Sequence, residues 1–220
     1  MNQNNKSLIS VIIPCYNPQT DFFKQAIESV LAQSYKNWEA IVINDGSNDK
    51  CKSFLENYIE KLNDKRISIF HLDKNFGVSI AKNKGVKLAN GGIITFLDSD
   101  DMHLPWFYEE ITNIFFNNPN CLVLAIPELY YYLSIWEVKI INARFTSTAI
   151  KNAEKALKQK ILFNTPRIVL KKEVFNKIQF DPEFSVGEDT DLCLQIAGND
   201  EFLDNFEVSQ INGYLYRIYS

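Results

Sequence analysis

From Leu8 to Leu97 the chain alternates two hydrophobic rhythms. Four short apolar runs rich in β-branched residues, LISVIIP from Leu8, EAIVIND from Glu39, RISIFHL from Arg66 and GGIITFLD from Gly91, predict strands. Between the first two, Phe22, Phe23, Ala26, Ile27, Val30 and Leu31 fall on one helical face; Phe54, Leu55, Tyr58, Ile59 and Leu62 do the same before the third. A further helix is expected from near Val78. Strands separated by helix-length segments imply right-handed crossovers, hence an α/β fold with a mostly parallel sheet and helices on both faces. After Leu104 the rhythm changes. Pro105 suits the first turn of a helix running through Ile111 and Phe115 to NNPN, and CLVLAI predicts one more strand. Residues 128–165 carry less pattern: LYYYLSIW is followed by IKNAEKALKQKIL, which has helical periodicity.

In sheets of this kind ligands bind at the carboxyl ends of the strands. The residues found there are PCYN, NDGS, DKNFG and DSDD. Any one of them is ordinary turn chemistry, but four on a single sheet edge outline a site. FLDSDDMHLP places Asp98, Asp100 and Asp101 within four residues. Neighbouring like charges disfavour each other's ionisation, and a divalent cation relieves the conflict. Hard carboxylate oxygens suit Mg²⁺ or Mn²⁺, which take one or two carboxylates and complete their shell with water and substrate phosphates. A D-x-D spacing at a strand end turns two carboxylates to the same side. The competing reading is that Asp100 or Asp101 caps the helix that Pro105 begins.

Composition narrows the possibilities. At 220 residues the chain suits one domain with an appended subregion, and 46% hydrophobic with 23% charged residues is far from a disordered composition. The net charge is −4 and the lysines are scattered, so no nucleic-acid partner is expected. Cys15, Cys51, Cys121 and Cys193 lie far apart with no C-x-x-C spacing, which suits reduced thiols in the cytoplasm. MNQNNKSLIS has no apolar h-region and no stretch reaches the roughly 18 apolar residues of a span, so membrane contact is expected to be peripheral, at the inner face. Nothing in the pattern speaks to oligomeric state.

SVIIPCYN, VINDGSND, NFGVSIAKNKG, FLDSDD and FSVGEDTDL occur in the order and spacing of a known family. Over nearly its whole length the chain resembles the inverting family 2 glycosyltransferases of the GT-A fold. The resemblance implies a Rossmann-like nucleotide-sugar-binding half, residues 1–104, and a smaller acceptor-binding half, residues 105–220. It assigns Pro14, Tyr16 and Asn17 to the nucleotide pocket, with Tyr16 stacking on the base and Asp45 accepting from a uracil N–H. Asn75 and Gly77 would shape the admitting turn. Lys82 stands where the family usually has Arg and would reach the nucleotide or its diphosphate as a point charge. Ser99 falls in the donor site. Asp100 would be the direct ligand of Mn²⁺ or Mg²⁺, Asp98 would be shared between ribose and metal, and Asp101 would join the metal site as a supporting acid. Asp189 aligns with the catalytic base, and Glu188 would position the base or the acceptor.

The family's DDGS appears here with Asn44 as its first member, Gln195 stands where Arg is frequent, and Tyr219 takes the place of a common His. The chain ends soon after that motif, as expected of a trimmed or minimal member. His103 lies beyond the acidic knot and is read as surface or packing. Tyr130, Tyr131, Tyr132 and Trp136 suit acceptor rings or lipid-linked acceptors, and equally a core. The implied activity is metal-dependent transfer of a sugar, from a UDP-sugar in the first instance, to a hydroxyl of a glycan or lipid-linked glycan in bacterial surface polysaccharide synthesis. Two alternatives are a catalytically inactive binding domain of the same fold and a sugar nucleotidyltransferase. The second is disfavoured because PCYNPQTD has no glycine to cradle a triphosphate.

Overall fold

The computed structural model describes residues 7–126, 128–132, 137–139, 167–184, 186–209 and 212–218. The predicted alternation is present: β1 (Ile9–Cys15), α1 (Thr20–Leu31), β2 (Trp38–Asn44), α2 (Asp49–Leu62), β3 (Ile67–His71), α3 (Val78–Leu88) and β4 (Ile93–Phe96) follow in order. Next come β5 (Met102–His103), α4 (Phe107–Asn117), β6 (Val123–Ala125), β7 (Glu128–Tyr132), β8 (Glu137–Lys139) and β9 (Ile168–Lys171). A 3₁₀ turn at Lys172–Asn176 precedes α5 (Glu188–Ala197), α6 (Asp200–Asp204), β10 (Phe206–Val208) and β11 (Tyr214–Ile218).

Local chemistry sets the helix starts. The Gln19 side chain accepts from the Phe22 N–H to open α1, and Asn48 accepts from the Cys51 N–H to open α2. At the far end of α2, Asn63 takes the left-handed conformation and closes the helix. The helix expected at Pro105 begins at Phe107, because Pro105 and Trp106 form a turn ahead of it. CLVLAI shrinks to the Val123–Ala125 strand. IKNAEKALKQKIL, Trp136 and Tyr219 lie outside the described residues.

The strands form a seven-stranded sheet of order β10-β6-β9-β4-β1-β2-β3. Pairing is parallel throughout β4-β1-β2-β3 and between β6 and β10, whereas β9 runs antiparallel to both its neighbours. Strands β6, β9 and β10 come from the second half of the chain, so that half completes the sheet begun by the first. β1 is buried on both faces, as a central strand must be. Ile9, Val11 and Ile13 join Phe23, Ile27, Leu55 and Phe107 in one core, while Ile12 on the opposite face joins Ala81, Val86, Phe180 and Leu192 in another. This alternation is the period-2 geometry of a strand serving two helical layers.

A second sheet, β5-β11-β7-β8, sits beside the end of β4. β11 runs antiparallel to β5 and parallel to β7, so the last described strand reaches the residues that follow DSDD. Its approach depends on Gly213, where a Cβ would fall 1.9 Å from the Phe107 ring.

α3 presses equally close on β1: a Cβ at Gly85 would lie 2.3 Å from Ile12 Cγ2. Gly85→Ala is therefore expected to destabilise the protein by about 1–3 kcal/mol through overpacking, despite alanine's better helix propensity. Urea unfolding measures this, and a gain in stability would contradict the packing described.

Candidate active site

The strand ends meet as their sequences require. The Asp45 N–H donates to the Cys15 carbonyl at 2.9 Å, tying the end of β2 to that of β1. The buried Asp45 carboxylate accepts from the Phe76 N–H at 2.8 Å and the Gly77 N–H at 2.9 Å, which fixes the turn before α3. Each oxygen retains a lone pair for a further donor. Gly46 makes this approach possible: it has φ +68°, and a Cβ there would lie 2.2 Å from the Lys74 carbonyl carbon. Asn44, the departure from DDGS, accepts from the Ser47 N–H and joins His71 Nδ1 at 2.8 Å, so an amide serves the turn.

These contacts frame a cleft of about 440 Å³ lined by Pro14, Cys15, Tyr16, Asp45, Asn75, Gly77, Val78, Ala81, Asp98, Ser99 and Asp100. Tyr16 is 54% exposed and offers an open ring face. Asn17, expected among the lining residues, is not one of them. It has φ 44°, its N–H donates to Ser47 Oγ, and its side-chain oxygen accepts from the Asn48 backbone and amide. It joins two loops.

The acidic knot divides in two. Asp98 and Asp100 line the cleft. Asp101 is buried beneath it, with Oδ2 accepting from the Tyr214 hydroxyl at 2.5 Å and Oδ1 from the Arg217 N–H at 2.7 Å. Asp101, expected among the metal's carboxylates, is not among the residues lining the cleft, and each of its oxygens already accepts from β11. Arg217 secures the same loop from its side chain: Nε donates to the Asp100 carbonyl at 2.6 Å, and an η-nitrogen donates to Gln25. Desolvation, opposed by Lys82 and reinforced by Asp189, Asp100 and Glu188, pushes the Asp98 carboxyl up to about 6. Desolvation likewise raises Asp101 to about 8, against its bonds from Tyr214 and Arg217. His103 is a packing residue: it is buried among Phe107, Tyr108 and Tyr214, bonded to the Tyr108 hydroxyl, and lowered by desolvation to about 3.

Gly187, at φ +88°, turns the chain into α5, so Glu188 and Asp189 occupy its first turn. Lys82, only 2% exposed, bridges them, with Nζ 3.0 Å from Glu188 Oε1 and 3.0 Å from Asp189 Oδ1. Expected at the nucleotide, it is not among the residues lining the cleft, although its neighbour Ala81 is, and its ammonium bonds the two acids of α5. Burial alone would lower its pKa, but Asp189, Asp98 and Glu188 raise it overall. Gln195 donates to Asp191 and to the Gln179 carbonyl, stapling α5 to the preceding loop.

Among the described residues, no group of three or more His, Cys, Asp or Glu side chains could hold a metal ion. The donor set fits a divalent cation only as a partial shell: Asp98 and Asp100 supply hard oxygens facing the cleft, and water or ligand phosphates must complete it.

Residues 10–179 match the model of glycosyl transferase family 2. The chain belongs to that family. It is 33% identical over 199 residues to the minor teichoic acid biosynthesis protein GgaB of Bacillus subtilis, covering 86% of this chain and 21% of that protein. It is 29% identical over 224 residues to the glycosyltransferase MJ1057 of Methanocaldococcus jannaschii, covering 97% of this chain and 75% of that protein. In fold it is similar to S. aureus TarS residues 1–349 in complex with UDP-GlcNAc, with a TM-score of 0.72 at 20% identity, over 96% of this chain and 59% of that one. The UDP complex gives 0.69 at 21% identity, over 96% and 60%. The chain thus spans about a fifth of GgaB and three-fifths of the TarS fragment.

The buried Tyr214–Asp101–Arg217 contact yields a prediction with a definite sign. Asp101 is raised from 3.8 to about 8, so over that range the folded protein keeps a proton that the unfolded chain releases, and the group's contribution to stability falls as pH rises. Asp101→Asn removes this titration. Relative to wild type, its thermal stability should improve steadily from pH 5 to pH 8, with Mn²⁺ affinity unchanged. Loss of Mn²⁺ binding in this variant would restore Asp101 to the metal site.

Proposed function

We propose that this family 2 domain is an inverting, metal-dependent glycosyltransferase. It would move a sugar from a UDP-sugar to a hydroxyl of a glycan or lipid-linked glycan in bacterial surface polysaccharide synthesis. The observation that carries the proposal is the convergence, on one cleft, of an open aromatic face at Tyr16, the Asp45 carboxylate, and the Asp98–Ser99–Asp100 turn. A carboxylate accepts and uracil N3 donates, so Asp45 suits a uracil base stacked on Tyr16. The TarS complexes with UDP and UDP-GlcNAc and the teichoic acid context of GgaB support the donor and acceptor classes.

In this reading Asp98 and Asp100 would hold Mn²⁺ or Mg²⁺, and the ion when bound would supply charge neutralisation for the leaving group. Asp98 also faces the ribose, and Ser99 lies beside the donor. The acceptor oxygen attacks the anomeric carbon from the face opposite the diphosphate. As that bond forms, the bond from the anomeric carbon to the diphosphate oxygen breaks, and UDP leaves with the electron pair. The acceptor proton passes to Asp189, in the first turn of α5. Acceptor contacts are assigned to the segment from residue 128 to residue 165. With no described helix long and apolar enough to cross a membrane, contact with a lipid-linked acceptor would be peripheral.

A thermal-shift screen of UDP, GDP, dTDP and CMP, each with and without Mn²⁺, tests the donor site. UDP with Mn²⁺ should stabilise the protein by about 2.7 kcal/mol at a hundredfold excess over Kd. Indifference to every nucleotide would refute the assignment. Asp189→Asn should lower turnover by about 10²- to 10⁴-fold while sparing UDP affinity. Retained turnover would remove Asp189 from the role of base.

A further inference from the structure

We propose that Lys82 is a positioning residue that holds Asp189 and Glu188 together at the edge of the donor cleft, and that it makes no contact with the nucleotide. This rests on the donor and base assignments above. The ammonium is buried at 2% exposure and donates to both carboxylates at 3.0 Å, while its Nζ sits 5.1 Å from the centre of the Phe180 ring. A group so enclosed is poorly placed to reach a diphosphate in an open cleft. Val78 and Ala81, from the same helix, line that cleft instead.

Helix geometry explains why a bridge is needed. Consecutive residues of an α-helix project about 100° apart, so Glu188 and Asp189 would splay if nothing joined them. One ammonium between them fixes the direction of both. It also keeps charge balanced through the reaction. Before transfer, Lys82 bonds two anions, Glu188 and Asp189, and feels a third at Asp98; once Asp189 has taken the acceptor proton, Lys82 remains paired with Glu188, and no unpaired cation is left buried. Glu188 is thereby the standing counter-ion, and Asp189, the more exposed of the two at 26% against 12%, is the one that changes charge.

The test uses UDP-GlcNAc, Mn²⁺ and water as acceptor, with UDP release as the signal. Lys82→Met should lower kcat by about 100-fold or more, leave KM and the UDP Kd within about threefold of wild type, and be rescued to within about tenfold by Lys82→Arg. A rise of more than about tenfold in UDP Kd with kcat preserved would make Lys82 a nucleotide contact and overturn the proposal, as would an unchanged kcat. If Lys82→Met does not fold, Lys82→Met in a Glu188→Gln background removes the pair together. Its kcat should fall well below that of Glu188→Gln alone, and equal rates would overturn the proposal. Absence of UDP binding by the wild-type protein is the separate result that removes the donor assignment, and this role with it.

Discussion

Lys82 on α3 carries the buried ammonium around which Asp98, Glu188 and Asp189 gather from distant parts of the chain. Two like charges 4 Å apart repel by about 4 kcal/mol at an effective dielectric near 20, so such a group of acids needs a cation inside it. Removing one partner of a buried pair commonly costs about 3–5 kcal/mol, because the other charge is stranded. The close seating of Gly85 on Ile12 therefore matters beyond packing. It sets the height of α3 over the sheet, and with it the point at which the ammonium emerges between the strand end at Asp98 and the start of α5.

A second constraint comes from β11. Through Tyr214 and Arg217 it grips Asp101 and the Asp100 carbonyl, so the turn after β4 is held from below while Asp98 and Asp100 face the cleft. The acidic sequence is thus split between two duties. One carboxylate anchors the turn and two line the cleft. Tyr214 OH also receives a long contact from the Asp98 N–H at 3.4 Å, placing the hydroxyl beneath the whole loop.

Much of this was legible in the residues. The alternation through β1 to β4 follows from apolar periodicity, and the turns that line the cleft follow from the polar residues ending each strand. The resemblance to family 2 glycosyltransferases rests on motifs spread along the chain, and the family match over residues 10–179 agrees with it. Other features depended on pairings between distant segments, which no local pattern encodes. YLYRI forms β11, and nothing in its sequence announces that Tyr214 and Arg217 meet DSDD. Likewise AKNKG reads as a helical stretch with a cation, and only the fold shows that cation bonded to Glu188 and Asp189. Asn17 shows a related limit of local pattern: an Asn in a polar turn suits ligand contact and loop bridging equally, and only the fold shows its bonds to Asn48.

The central claim is that the cleft between Tyr16, Asp45 and the Asp98–Asp100 turn is a donor site in which phosphates complete a partial metal shell. A crystal grown with UDP and Mn²⁺, with anomalous scattering recorded for manganese, addresses it most directly. The account predicts a manganese peak about 2 Å from a carboxylate oxygen of Asp100 or Asp98, bridged to the diphosphate, with uracil between Tyr16 and Asp45. Nucleotide bound elsewhere, or bound here with no manganese at either carboxylate, would contradict it.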